Sequence, residues 1–279
     1  MKTYTSSELL KLGRHIATPF LVEIYKTGRV DQIEINEIIR IVPGKRLVGR
    51  AKWQGAIVIV KIFFAPLRWR PNLSRDIFGI NLLRKRGLRA PDILHDGIIS
   101  DNKGAALILE YVQGSETIGE FFKKAESASE RQVWFSKMMR AIGVCHRRGL
   151  WQSDIHMDNF LQSKSHIYYL DGGGIRKLQD SSNIDLICNN IALFLAQFPV
   201  ENDQNIAALL KEYCLENKQL NTLNKNLIAV KVREARNLRI SNYEKKLFRS
   251  TTAHRSIRSF SKFVVYAREI YSSSLESFL

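Results

Sequence analysis

A chain of 279 residues, 45% of them hydrophobic, is long enough for one large domain or two closely packed lobes with ample core. Its formal charge of +16 and pI near 9.9 suit an anionic partner, whether nucleic acid, an acidic lipid surface or a phosphorylated glycan, or else a merely solvated basic surface. Three scattered cysteines, Cys145, Cys188 and Cys214, read as small core residues of a reduced compartment and exclude a disulfide scaffold or zinc site.

No N-terminal signal pattern is present, and the longest apolar stretch, IALFLAQF at 191–198, is too short to span a bilayer, so a cytoplasmic protein is expected. In chain order, SELLKLGRH reads as a short helix, and FLVEIYK and IEINEIIRIV as strands. PGKRLVGRAKWQGAIVIVKIFF places two β-rich runs around Trp53, Gln54 and Gly55, a hairpin signal. AIVIVKIFF is nearly continuously apolar apart from Lys61, as in a strand buried on both sides. An ammonium there requires a compensating charge, for which a phosphate and a carboxylate are the natural partners.

After APLRWRPNLS, the segment SRDIFGINLLRKRGL has helical spacing at Ile77, Ile80, Leu82 and Leu83, with Ser74 as N-cap. Asp76 then falls in the first helical turn. It pairs with Lys61 in one reading and is simply an acid favoured near a helix N-terminus in the other. Gly87 and Pro91 end the helix before the strand PDILHDGIIS, and the turn at 101–104 leads to AALILEYVQG. EYVQGS at 110–115 marks a domain boundary between a β-rich region, 1–111, and a mainly helical one, 112–279. TIGEFFKKA and ASERQVWFSKMMRAIGVCHRRGL are helical, the latter with Trp134, Met138, Ile142 and Cys145 on one face and a stop at Gly149.

The run LWQSDIHMDNFLQSKSHIYYLDGGG follows. NFLQS and HIYYLD form a hairpin about 163–165 that returns Asp171 towards Asn159. A phosphoryl transfer needs a carboxylate to orient the attacking hydroxyl and take its proton, and hard oxygen ligands for Mg²⁺. Asp154 suits the first role; Asn159 and Asp171 suit the second. An isolated D-x4-N arises by chance in turns, but the strand and the three glycines after Asp171, which allow close backbone approach to phosphate, set this one apart. Beyond position 225 the chain is rich in Lys and Arg and reads as two amphipathic or semi-buried helices joined around 250–253. That segment binds substrate or membrane, or presents a solvated basic face; Arg249, Arg255 and Arg258 are candidates to hold acceptor anions.

The order of these elements resembles the protein-kinase-like fold over 35–215: α+β, bilobal, with a small β-rich N-terminal lobe that binds nucleotide and a larger, mainly helical catalytic lobe. The resemblance implies that Lys61 binds the α and β phosphates of ATP and that Asp76 takes the place of the helix glutamate that holds this lysine. It also implies a hinge at Glu110 to Val112 whose backbone binds adenine, and a phosphate loop reduced to Gly44 in PGKR, with Gly49 further on. Gln152 and Ser153 stand where eukaryotic protein kinases have His-Arg, DGGG replaces Asp-Phe-Gly, and no Ala-Pro-Glu element follows, so regulation by loop phosphorylation is not expected.

Those departures, with PGKRLVGRAKWQGAIVIVKIF, LLRKRGLRAPDIL, LILEYVQGSETIGEFF and GLWQSDIHMDNFLQ, are similar to the bacterial lipopolysaccharide-core heptose and Kdo kinases. His156 and Asp158 then belong to the catalytic loop, with His156 either touching phosphate or sugar or making a loop-stabilising hydrogen bond. This resemblance implies a monomeric kinase using ATP and Mg²⁺ on a sugar hydroxyl of the lipopolysaccharide core and lipid A acceptor, at the cytoplasmic face of the anionic inner membrane. Two rival readings stay open. One is a kinase of proteins or another small molecule. The other is a binding protein for nucleotide or nucleic acid, against which stand the joint presence of Lys61, Asp154, Asn159 and Asp171 and the lack of any nucleic-acid-binding signature.

Overall fold

Alternation of apolar and polar residues along positions 1–110 folds into strands whose inner faces meet. The computed structural model describes residues 1–179, 183–218, 223–247, 254–258 and 263–267. The chain forms two compact units, one of Met1–Ile184 with Ala208–Asn221, the other of Asp185–Ala207 with Thr222–Leu279.

The first unit opens with helix α1 (Ser6–Leu12) and strands β1 (Phe20–Lys26), β2 (Arg29–Val42), β3 (Arg46–Trp53) and β4 (Ala56–Phe63). Helix α2 (Trp69–Lys85) and strands β5 (Ile93–Ile99) and β6 (Ala105–Glu110) follow. The sheet runs β1-β2-β3-β4-β6-β5 and closes on itself where Ile24 and Tyr25 pair with Ile99 and Ile98. Every second residue points inward, so Phe20, Val22, Ile24, Val58, Val60 and Ile62 share one core with Leu9 of α1. Mixed α+β architecture with a β-rich N-terminal region and a helical C-terminal part therefore stands, although a closed six-stranded barrel is not a standard kinase lobe.

The expected hairpin joins β3 to β4 through Gln54 (φ 49°) and Gly55 (φ 83°), both left-handed as a two-residue turn matched to strand twist requires. Helix α2 starts earlier than its sequence signals suggest. Its first residue is Trp69, its N-cap Arg68 makes no side-chain cap, and Ser74 is internal. Pro71 lies in the first turn, where a missing N–H costs nothing, so the helix accommodates it. Asp76 is consequently not a first-turn acid, and the helix-dipole account of it falls away.

Strand β7 (Ser115–Thr117), helices α3 (Ile118–Lys124) and α4 (Ala128–Arg147), and strands β8 (Leu150–Gln152), β9 (Phe160–Ser163), β10 (His166–Tyr169) and β11 (Ile175–Lys177) continue the unit. Met138, Ile142 and Cys145 of α4 are buried as the spacing predicts, and Trp134 stacks on Phe121. Burial pushes the Cys145 thiol up to about 12, consistent with an inert core residue.

Helix α5 (Ile184–Leu195), helix α6 (Ile206–Glu216), helix α7 (Lys225–Leu247) and strands β12 (His254–Arg258) and β13 (Phe263–Ala267) follow among the described residues. In the second unit, Ile228, Val232 and Ala235 bury one stripe of α7. Lys231 binds Asp185 at 2.6 Å, and Arg236 grips Asp203 through two 2.6 Å bonds, so part of the basic segment is structural. The expected second C-terminal helix is instead an antiparallel hairpin, β12 with β13. Ile257, Val264, Val265 and Tyr266 are β-branched or aromatic and fit a pleated surface better than a helix. The expected joint at 250–253, Arg249 and the side chain of Arg258 lie outside the described residues; Arg255 lies on β12. Among the described residues no helix is long and apolar enough to cross a membrane.

Candidate active site

Lys61 is out of phase with the barrel-facing Val60 and Ile62, so its side chain leaves the barrel on the side facing α2. There its Nζ lies 3.0 Å from both carboxylate oxygens of Asp76. Lys61 is 9% exposed and Asp76 1%, so the two charges are buried together. The pair answers the requirement that a lysine on an apolar strand meet a carboxylate.

The DGGG turn is pressed against the same helix. A β-carbon on Gly79 of α2 would stand 1.9 Å from the carbonyl oxygen of Gly172, and one on Gly172 would stand 2.2 Å from the carbonyl oxygen of Asp76. Only glycine on both sides permits this backbone-to-backbone contact. Asp171, immediately before it, is left-handed (φ 56°, ψ 68°), a conformation Asp tolerates better than most residues. Its Oδ1 comes within 4.0 Å of Lys61 Nζ and 3.6 Å of an Arg46 guanidinium nitrogen. That oxygen is buried and has no hydrogen-bond partner among the described residues.

The β9–β10 hairpin pairs Tyr169 with Phe160, and the Leu170 N–H then donates to the Asn159 carbonyl at 2.8 Å, bringing the chain back beside Asn159. Asn159 is buried and donates its Nδ2 to the Asp154 carbonyl at 2.6 Å, which leaves its Oδ1 as an acceptor or ligand atom. Gln152 donates to the Leu170 carbonyl at 3.0 Å, while the Ser153 N–H and hydroxyl both donate to the Gly174 carbonyl. The two residues that replace His-Arg therefore bind the Asp154 loop to the DGGG turn.

The Asp154 side chain is 68% exposed. His156 stands between two carboxylates, 3.9 Å from Asp154 and 4.0 Å from Asp158. Asp158 is fixed from its other side, accepting from Thr117 Oγ1 at 3.4 Å and filling the space where Gly119 of α3 would carry a β-carbon.

The remaining candidates make no hydrogen bond or ion pair to this cluster among the described residues. Gly44 (φ 72°) shapes the β2–β3 turn and nothing crowds it. Glu110, at the end of β6, accepts from the Asp92 N–H through its carboxylate and donates its own N–H to the Asp92 carbonyl. Val112 is buried and its carbonyl accepts from Ser115 Oγ at 2.6 Å.

Sequence reasoning missed Arg46 and Gly79. Gly79 carried a signal, since a glycine inside a helical pattern costs about 1 kcal/mol against alanine and so calls for a packing reason. Arg46 stands two residues after Gly44, the expected phosphate-loop glycine, but had no spacing rule to single it out.

Among the described residues no three His, Cys, Asp or Glu side chains gather as a protein-only metal cage. Asn159 and the orphaned Asp171 oxygen instead fit Mg²⁺, which is ordinarily held by one or two protein oxygens together with substrate phosphates.

No family model matches the chain. Three curated plant proteins resemble it. CBL-interacting protein kinase 25 of Oryza sativa subsp. japonica is 25% identical over 165 residues, covering 54% of this chain and 31% of that protein. CBL-interacting serine/threonine-protein kinase 15 of Arabidopsis thaliana is 28% identical over 119 residues, 40% of this chain and 26% of that protein. CBL-interacting protein kinase 21 of Oryza sativa subsp. japonica is 28% identical over 138 residues, 47% of this chain and 25% of that protein. The chain spans about a third or less of these relatives' length, and its likeness to protein kinases is distant and partial.

Proposed function

We propose that the chain is an ATP-dependent phosphotransferase that phosphorylates a sugar hydroxyl, heptose or Kdo, of the lipopolysaccharide inner core. The observation that carries the phosphotransferase reading is the buried Lys61–Asp76 pair set 4.0 Å from Asp171, whose Oδ1 lacks a hydrogen-bond partner among the described residues. Such a pair holds an ammonium in one place for phosphate oxygens. Asn159 and Asp171 would hold Mg²⁺, which supplies charge neutralisation on the phosphates when bound. Asp154 orients the acceptor hydroxyl and takes its proton as the acceptor oxygen bonds to the γ-phosphorus; the bond to the β,γ-bridging oxygen breaks and ADP leaves. The exposure of Asp154 suits a large acceptor approaching from solvent.

The sugar acceptor rests on the resemblance of the sequence runs and on the charge of +16, which favours an anionic glycan and peripheral contact with an anionic membrane face. A second reading, transfer to protein hydroxyls, is favoured by the names of the three similar plant kinases. Purified protein with Mg²⁺ and γ-labelled ATP, offered dephosphorylated core oligosaccharide and separately a protein substrate, decides between them. Label on the sugar, lost in Asp154→Ala, is expected. Label on protein alone would move the assignment to the second reading, and nucleotide binding without transfer to either acceptor would leave a binding protein.

A further inference from the structure

Arg46 is the first residue of β3, directly after the β2–β3 turn, and its backbone is fixed by pairing with Phe63 on β4 and Val42 on β2. Its side chain, 28% exposed, reaches Asp171 Oδ1 at 3.6 Å and has no other partner among the described residues. That separation exceeds the 2.7–2.9 Å or so of a formed charge-assisted bond. Arg236, which docks on Asp203 through two 2.6 Å bonds, shows what a committed guanidinium looks like in this chain. Arg46 is close to an acid without being docked on it, and its fork of donors remains largely unspent.

The turn that precedes it has few donors to offer a phosphate. Gly44 is its single glycine, and the Lys45 N–H is spent on the Val42 carbonyl at 3.0 Å. Lys61 contributes a point charge already shared with both oxygens of Asp76. Among the described residues this side of the site holds no other planar, bidentate cation within ion-pair reach of Asp171, and Arg46 supplies one.

We propose that Arg46 is a phosphate-binding residue of the nucleotide site and that it competes with a divalent cation for Asp171 Oδ1. The inference rests on the phosphotransferase reading above. A guanidinium beside a metal-ligating oxygen repels a second cation there. It attracts the triphosphate that the same cation accompanies, so removing it has opposite consequences for the two ligands.

Calorimetric titration of the full chain separates them. Arg46→Gln should tighten binding of Mn²⁺ alone about fivefold, by relieving repulsion. It should weaken binding of the β,γ-imido analogue of ATP with Mg²⁺ about tenfold, by loss of charge-assisted bonds. Arg46→Lys, which keeps the charge and loses the fork, should leave Mn²⁺ affinity native and give intermediate nucleotide affinity. Affinities that stay unchanged or move in the same direction in Arg46→Gln overturn the proposal, provided its urea denaturation matches the native chain. Asp171→Asn is the separate control: if it leaves Mn²⁺ and nucleotide binding intact, the phosphotransferase reading itself fails, and the role of Arg46 with it.

Discussion

Lys61 and Asp76 are locked between β4 and α2 with almost no exposure, whereas Asp154 stands on a loop with most of its side chain in solvent. Both belong to one compact unit, and the DGGG turn joins them: Gly172 lies against α2 on one side, and Gly174 accepts from Ser153 on the other. The contrast separates two tasks. The buried half fixes its charges in place, so under the proposed function little reorganisation would accompany phosphate binding. The exposed half leaves Asp154 open to solvent, where the proposed acceptor would approach. A buried ion pair adds little stability compared with an apolar pair of the same volume, so its placement beside an orphaned carboxylate oxygen points to chemistry.

The largest effect tests the buried half. Asp76→Ala strands the Lys61 ammonium without a counter-charge and should cost about 3–5 kcal/mol in urea denaturation. Adding Lys61→Met should recover most of that stability without restoring nucleotide affinity. If the single variant is near native in stability, the pair is not buried as described. The exposed half should behave in the opposite way. Asp154→Asn should leave stability within about 0.5 kcal/mol of native, since its side chain is largely solvated. Phosphoryl transfer should nonetheless fall by about 10²–10⁴, the usual worth of a positioned base. Equal losses of stability in Asp76→Ala and Asp154→Asn would erase the distinction between the halves.

The joint between them gives the next effect. By helix propensity alone, Gly79→Ala should stabilise α2 by about 1 kcal/mol. The added carbon would meet the Gly172 carbonyl oxygen at 1.9 Å, a clash with backbone that no rotamer relieves. Overpacking should win, with a net loss of about 3 kcal/mol and weakened nucleotide binding as α2 and the DGGG turn separate. A stabilised variant would show that α2 and the DGGG turn do not meet backbone to backbone.

The legible parts of the site were those whose chemistry restricts residue type. Lys61 on an apolar run announced a buried partner, and the hairpin after Asn159 announced the return of the chain to Asp171. Asp76 was harder to place because its neighbours carried a competing signal: Ser74 looks like an N-cap, yet Pro71 is tolerated in the first turn and packing carries α2 back to Trp69. Barrel closure was not legible at all. It depends on Ile24 and Tyr25 finding Ile99 and Ile98, a long-range pairing that leaves no local pattern. The C-terminal hairpin was misread because Lys and Arg density suggested a helical face, while the β-branched and aromatic run at 263–267 carried the stronger preference.

The smallest effect provides a reference within the barrel unit that touches none of the candidate site residues. Asp101 anchors α1, accepting the Ser7 N–H at 2.8 Å and the Ser7 hydroxyl at 2.9 Å through one oxygen and the Lys103 N–H at 3.2 Å through the other. Burial pushes its carboxyl up, but these bonds outweigh burial and hold it below the ordinary value. A carboxyl depressed in the folded state adds stability that is present above its unfolded value of about 3.9 and lost as pH falls through the folded value. Asp101→Asn should therefore cost about 1 kcal/mol at neutral pH, reduced by partial exposure. The difference from native should close below about pH 4, while Mg²⁺-nucleotide affinity at neutral pH stays native. A difference that persists unchanged into acid would mean that Asp101 holds α1 by shape and not by charge. A loss of nucleotide affinity would mean that the barrel's α1 anchor and the buried half of the site are one mechanical element.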